Sequence, residues 1–201
     1  MSLKYFVHVS SINNLSDARY CSGMMVNSLG FDLDNYSKSK LPVENINEIC
    51  KWVNGVDFVG EFNNSESNYI NRVINKIDFN YISININNTI NNIDFDHQKI
   101  IIVLPEPNLI TSKTNNFLRD NFPDTRILII DNLTKDSISN LELLSDNYEI
   151  IINPLETINS TKKILNKLDL GLLLKGSQEI KPGYKDYDSI SDYLEAIDES
   201  L

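Results

Sequence analysis

Hydrophobic and polar residues follow a repeating pattern of short apolar runs and longer amphipathic segments. The apolar runs are rich in Val, Ile, Phe and Tyr, which favour β-strands. They predict eight strands, at 4–10, 27–33, 57–63, 79–86, 99–104, 125–131, 148–153 and 168–175. Helical periodicity is clearest at 15–25, 43–53 and 186–198. Asn14 lies three residues before Asp17, a spacing typical of a helix N-cap, and 87–97 is predicted to be a loop or a short turn of helix.

The order of these elements predicts the fold class. Strands that are apolar along their whole length and alternate with helices are typical of a parallel sheet covered by helices. A doubly wound open sheet usually has about five or six strands, whereas eight βα units close into a barrel. The eight predicted strands therefore favour a single (β/α)8 TIM barrel, with one domain over 1–201 and no linker.

Composition and charge exclude several classes of function. The chain has 201 residues, 41% of them hydrophobic, and a formal net charge of -10 with only four arginines. This charge disfavours nucleic acid as a partner and means that a phosphorylated ligand would need a local basic pocket. No stretch approaches the roughly 20 apolar residues that cross a bilayer, and no secretory signal is visible, so we expect a soluble cytoplasmic protein without a membrane partner.

The cysteine pattern gives no sign of a metal site. Cys21 and Cys50 are far apart and form no CxxC motif, which argues against a disulfide scaffold or a zinc site. We expect no metal and no other cofactor. The sequence leaves the oligomeric state open.

Four short stretches of the chain form an ordered set of motifs. They read VHVSSINNLSDA from Val7, NSLGF from Asn27, VGEFNNS from Val59 and PGYKD from Pro182. In the same order and at similar spacing they resemble the K-x-C-G-I-T-N-x-x-D-A, A-D-x-x-G-F, V-G-V-F-V-N and P-G-x-K-D motifs of the phosphoribosylanthranilate isomerases of tryptophan biosynthesis. The resemblance covers nearly the whole chain and implies the same eight-stranded barrel.

The resemblance also implies a reaction, the Amadori rearrangement of a phosphorylated ribose attached to anthranilate. In the family, an Asp at the end of strand six is the general acid, and Asp131 matches that position. The general base is a Cys at the end of strand one, where this chain has Ser10. A hydroxyl has a pKa near that of water, about 15.7, and needs a neighbouring base, for which His8 on the same side of the strand is the candidate. The alternative for His8 is a packed or hydrogen-bonded residue in an inner barrel layer.

Other family motifs are altered. The glycines after strand seven are replaced by Asn153-Pro154-Leu155, and the G-G-T-G-K loop after strand six and the Q-L-H-G-D-E of strand four are absent. Lys40 falls near the position of an arginine that would meet the anthranilate carboxylate. Lys175, Gly176 and Ser177 lie where the family binds phosphate, and form a candidate anion site.

The strand ends supply the remaining candidates, because TIM-barrel active sites lie at the carboxyl ends of the strands. Asn85 and Asn153 are predicted there as ligand-binding residues. Two interpretations of the function stay open. One is a divergent, isomerase-like protein that lacks normal activity; the other is a working or altered isomerase that uses Asp131 with Ser10 and His8 on a phosphorylated sugar.

Overall fold

The computed structural model describes residues 2–38, 40–87, 93, 99–134, 136–176, 179–181, 184–185 and 187–199. Eight parallel strands form a closed barrel in chain order, and the last strand pairs with the first. They are β1 (Val7–Ser10), β2 (Ser28–Asp32), β3 (Asp57–Phe62), β4 (Tyr81–Asn85), β5 (Lys99–Leu104), β6 (Ile127–Ile130), β7 (Glu149–Ile152) and β8 (Gly171–Lys175). The predicted (β/α)8 barrel is confirmed.

Helices cover the outside of the barrel. Within the described residues they are α1 (Leu15–Gly23), α2 (Val43–Trp52), α3 (Ser67–Ile74), α4 (Ser112–Asn121), α5 (Glu142–Ser145), α6 (Ile158–Leu168) and α7 (Asp188–Ala196). Short 3-10 helices cover Pro107–Leu109 and Ile138–Leu141. The predicted cap is confirmed, because the Asn14 side chain accepts a hydrogen bond from the Asp17 N–H at 2.8 Å. None of these helices is long and apolar enough to span a membrane.

One small sheet was not predicted, and one predicted loop cannot be compared with the structure. A small antiparallel pair, β9 (Glu179–Lys181) and β10 (Tyr184–Lys185), follows the barrel and was not foreseen from the sequence. Most of the predicted loop at 87–97 lies outside the described residues, as does Ser177.

The barrel interior is divided into an apolar and a polar part. Most of its strands contribute aliphatic side chains that form a cluster of their own, namely Val59, Ile101, Val103, Ile127, Ile129, Ile151 and Leu173. The first four strands add the buried polar residues His8, Ser28, Glu61 and Ser83. Burying a polar group is costly unless it is hydrogen-bonded. We therefore expect these four side chains to pair with one another or with a ligand.

Candidate functional site

A cavity of about 420 Å³ opens at the carboxyl ends of the barrel strands. Its polar lining comes from Ser10, Ser11, Glu61, Asn63, Ser83, Asp131, Asn153, Lys175, Ser189 and Tyr193. Its apolar lining comes from Val103, Ile129, Pro154, Leu173, Leu174 and Ile190. A concave site with apolar walls and a few convergent polar groups, at this end of a TIM barrel, is the usual place for ligand binding.

Asp131, the candidate acid, lines this cavity directly after β6. Its backbone N–H donates to the Leu104 carbonyl at 3.0 Å, which fixes the start of the loop against β5. Burial raises the pKa of the Asp131 carboxyl above its usual 3.8, the negative charge of Glu61 raises it further, and Lys175 opposes both effects. A carboxyl group with a raised pKa in a cavity can serve as a proton donor.

Glu61 lines the cavity, although the sequence analysis did not single it out. It is 7% exposed, and its Oε1 lies 3.0 Å from His8 Nε2. Its Oε2 accepts a hydrogen bond from the Ser11 backbone N–H at 3.1 Å. The second ring nitrogen of His8, Nδ1, lies 2.8 Å from Ser28 Oγ. The carboxylate is therefore held from two sides by a buried hydrogen-bond network.

The backbone around Glu61 is adapted to this carboxylate. Ser11, which donates the N–H, has a φ of 56°, a left-handed conformation that is uncommon for residues other than glycine. Gly30 leaves room for the side chain, because a Cβ at position 30 would lie 2.1 Å from Glu61 Oε1. The sequence contained one signal for Glu61: a charged residue inside the apolar run 58–62, two positions before the predicted strand end at Asn63 and so on the same face.

Ser10 lines the cavity, but the structure places His8 below it and out of the cavity lining. His8 is fully buried, and its ring nitrogens contact Ser28 and Glu61. This is the arrangement of a hydrogen-bonded histidine in an inner barrel layer, the second of the two interpretations given for His8 above.

Lys175 and Gly176 lie together at the end of β8, but they do not form a ready anion cradle. Lys175 is exposed and lines the cavity. The Gly176 N–H donates to the Ser10 carbonyl at 2.7 Å, so it is already used within the protein. Glycine is required there by close packing, since a Cβ would lie 2.9 Å from the Ser11 carbonyl oxygen.

Asn153, a candidate binding residue, lines the cavity after β7. Its side-chain Oδ1 is buried without a hydrogen-bond partner. The next residue, Pro154, has no backbone N–H, and the N–H of Leu155 donates to Thr161 Oγ1 at 2.9 Å. The Asn153 Oδ1 atom is therefore closed off from solvent, although other atoms of the residue line the cavity.

Two predicted binding residues lie outside the cavity lining. The Lys40 ammonium contacts the hydroxyl of Tyr69 and lies 4.7 Å from the centroid of its ring. Asn85, at the end of β4, accepts a hydrogen bond from the Asn87 N–H at 2.9 Å. Among the residues that the structure describes, no group of three or more His, Cys, Asp or Glu side chains is placed to hold a metal ion.

Comparisons with known proteins match the fold but not the sequence. No protein-family profile matches the chain, and no curated protein matches it by sequence. Phosphoribosyl anthranilate isomerase from Thermotoga maritima superposes with a TM-score of 0.75 at 16% identity, covering 98% of this chain and 100% of that chain. The enzyme from Thermus thermophilus gives a TM-score of 0.70 at 16% identity, covering 95% and 97%.

A further match is a phosphoribosyl anthranilate isomerase in complex with reduced 1-(o-carboxyphenylamino)-1-deoxyribulose 5-phosphate. It has a TM-score of 0.74 at 17% identity and covers 98% of this chain and 100% of that chain. At these identities the likeness shows a shared barrel fold. The family resemblance drawn from the sequence motifs is thus confirmed at the level of the fold.

Proposed function

We propose that this chain is a divergent relative of the phosphoribosylanthranilate isomerases that does not carry out their reaction at a normal rate. The shared barrel fold and the four ordered sequence motifs support the kinship. The loss of activity is inferred from the position of the family's general base. Ser10 stands there in place of a cysteine, and His8 is hydrogen-bonded to other residues.

The reaction needs a group that removes a proton from carbon, and a serine hydroxyl needs an activating base to do so. His8 would have to accept the Ser10 proton through a ring nitrogen. Its Nδ1 is paired with Ser28 and its Nε2 with Glu61, both at hydrogen-bond distance. Loss of a positioned general base typically lowers the rate by about 10²–10⁴-fold.

The phosphate-binding groups that the resemblance implies are also changed. A phosphate at this end of a TIM barrel is typically held by backbone N–H groups of the loops after strands seven and eight. Here Pro154 has no N–H, and the N–H groups of Leu155 and Gly176 donate to Thr161 and Ser10. Within the described part of the chain, Lys175 is the lysine that lines the cavity. These described groups alone would hold a phosphorylated substrate weakly.

One observation favours the alternative, a working or altered isomerase. Asp131 keeps the position of the family's acid, and burial together with Glu61 raises its pKa, as a proton donor requires. In that case Asp131 is the acid, and Ser10 with His8 replaces the cysteine base.

The deciding experiment is a turnover assay with phosphoribosylanthranilate, with the Amadori product detected by chromatography. We expect the wild-type rate to lie about 10²–10⁴-fold below that of a phosphoribosylanthranilate isomerase assayed alongside. Ser10→Cys restores the missing thiol and raises the rate if the rest of the site is intact, whereas Ser16→Cys, an exposed position on α1, serves as the matched control and does not. Wild-type turnover at the rate of that enzyme, lost in Asp131→Asn, would contradict the proposal and favour the alternative.

A further inference from the structure

We propose that Glu61 is the general base of the cavity, and that it removes the proton from carbon in the slow isomerase turnover that the chain retains. The inference rests on the proposed function, because it names the group that carries the residual reaction at the same site. His8 is then a positioning residue, since it contacts Glu61 and lies outside the cavity lining.

The Glu61 carboxylate lies beside the place where the resembling family has its base. Glu61 belongs to β3, and β2 separates β3 from β1. Gly30 of β2 has no side chain, and the carboxylate lies against it, with Oε1 2.1 Å from where a Cβ would be. The side chain therefore crosses β2 and reaches β1, where Oε2 accepts the Ser11 N–H at 3.1 Å. Ser11 directly follows Ser10, which stands in the place of the family's cysteine.

The Glu61 side chain can take up a proton without help from a second group. Glu61 lines the cavity, and its side chain is 10% exposed. A carboxylate has about four acceptor positions, and the described hydrogen bonds use one at each oxygen. A serine hydroxyl, in contrast, needs an activating base before it can react. Glu61 can therefore act at the position where Ser10 alone cannot.

Two buried hydrogen bonds in series hold the Glu61 carboxylate from below. An ionised carboxylate only accepts hydrogen bonds, so His8 Nε2, 3.0 Å from Glu61 Oε1, must carry a hydrogen. Nδ1 of a neutral His8 is then an acceptor, and the Ser28 hydroxyl donates to it at 2.8 Å. Because the Ser11 N–H holds the other oxygen, the carboxylate is fixed in position, as proton transfer from a bound ligand requires.

The acid that works with Glu61 is Asp131, which lines the same cavity. The negative charge of Glu61 is one of the causes that raise the pKa of the Asp131 carboxyl, so the two groups are close enough to interact. Two carboxyl groups with different surroundings in one site commonly divide the roles of acid and base. Glu61, which accepts two hydrogen bonds, is the base, and Asp131 is the proton donor.

The Amadori rearrangement balances with these two groups. Asp131 gives its proton to the ring oxygen, and the C–O bond at the carbon that carries the amine breaks, which leaves a protonated C=N bond. Glu61 then removes the proton from the neighbouring carbon; the electrons of this C–H bond form a C=C bond, and those of the C=N bond return to nitrogen. Finally, Glu61 returns its proton to the carbon next to nitrogen, and the enol oxygen gives its proton to Asp131. The product is the ketone, and both carboxyl groups regain their starting states.

The test measures turnover of phosphoribosylanthranilate by the wild type and by Glu61→Gln. Glutamine has nearly the shape of glutamate and still accepts the Ser11 N–H, but it cannot take up a proton. We expect kcat to fall by about 10²-fold or more and KM to change by less than about threefold. Glu106→Gln, at an exposed glutamate after β5 that does not line the cavity, is the matched control and leaves both constants unchanged.

Rescue by formate separates a base from a residue that only supports the fold. Glu61→Ala removes the carboxylate and leaves space for a small carboxylate from solution. We expect formate to raise the turnover of Glu61→Ala by at least about tenfold and to leave that of the wild type unchanged. A purely structural role of Glu61 predicts a loss of turnover that formate does not restore. Circular dichroism checks that the variant is folded, and Glu61→Gln alone decides if it is not.

Three results would overturn the inference: wild-type turnover no faster than the reaction without protein, an equal kcat in wild type and Glu61→Gln, or a folded Glu61→Ala whose lost turnover formate does not restore. A wild-type rate equal to that of a phosphoribosylanthranilate isomerase would instead contradict the proposed function. The Glu61 variants would still decide which group is the base in that case, so the two failures are distinguishable.

Discussion

Replacing Gly30 by alanine tests whether the Glu61 network is as tightly built as its geometry indicates. A Cβ at position 30 would lie 2.1 Å from Glu61 Oε1, 2.5 Å from Glu61 Cδ and 2.9 Å from His8 Cε1. The first two distances are far inside van der Waals contact. The Glu61 carboxylate would have to move, and it cannot do so without giving up its contacts with His8 and Ser11.

The expected loss of stability follows from those contacts. A hydrogen bond to a charged group contributes roughly 1.5–3 kcal/mol, and overpacking of a core typically costs about 1–3 kcal/mol. Partial relaxation of the side chain recovers some of this, because the carboxylate is the far end of a flexible residue. We therefore expect Gly30→Ala to lower the free energy of unfolding by about 3 kcal/mol.

The assay is urea unfolding of four proteins: wild type, Gly30→Ala, Glu61→Ala and the double variant. In the Glu61→Ala background the main clash is gone, so the cost of Gly30→Ala should fall below about 1 kcal/mol, a coupling typical of residues in direct contact. Gly23→Ala is the matched control, since a Cβ there meets nothing within 4 Å and the residue lies in α1. We expect that change to be neutral or to stabilise by at most about 1 kcal/mol.

Two outcomes would refute this reasoning. One is a Gly30→Ala variant as stable as the wild type, which would mean that Glu61 moves freely and is not held by His8 and Ser11. The other is an equal cost of Gly30→Ala with and without Glu61, which would place the clash elsewhere in the barrel. In either case Glu61 could not be regarded as held in place by His8 and Ser11.

The remaining predictions concern Asp131 and Tyr187. Burial and Glu61 raise the pKa of Asp131 in the folded protein above its usual 3.8. Protonation of Asp131 therefore stabilises the folded state at low pH, and this contribution to the free energy of unfolding is lost as the pH rises from 3.8 through the raised pKa. Asp131→Asn should therefore be more stable than the wild type in urea unfolding at pH 7 but not below pH 3.8, and equal stability at pH 7 would contradict this. Tyr187→Phe removes the hydrogen bond from the Tyr187 hydroxyl to Asp17 Oδ1 at 2.7 Å and should cost about 1–3 kcal/mol. Tyr36→Phe, at a side chain that is 93% exposed, is its control and should leave urea unfolding unchanged.

The strands of the barrel could be predicted because a strand buried on both faces has an unbroken apolar run. The prediction at 99–104 coincides with β5 (Lys99–Leu104), and the one at 57–63 exceeds β3 by a single residue. The helices carried a weaker signal. Helix α5 has four residues, too few to show a 3.6-residue period, and only tertiary packing defines it.

Only some residues of the candidate site could be predicted from the sequence. Ser10, Asp131 and Lys175 follow from the rule that TIM-barrel sites lie at strand ends, and all three line the cavity. The His8–Glu61 pair joins residues 53 positions apart, and no local pattern indicates such a contact. Lys40 was placed by its position in the chain alone, whereas in the fold Tyr69 holds its ammonium group.

The polar half of the barrel interior argues that the site is adapted to a ligand and has not simply decayed. Replacing both partners of a buried hydrogen bond by apolar groups of similar shape can be nearly neutral or stabilising, and β3 and β5 to β8 of this barrel already carry an aliphatic cluster. Stability alone therefore does not require the contact of His8 with Glu61 or the hydrogen bond that Glu61 accepts from the Ser11 N–H, and we expect this polar network to serve a ligand of the cavity that Glu61 lines.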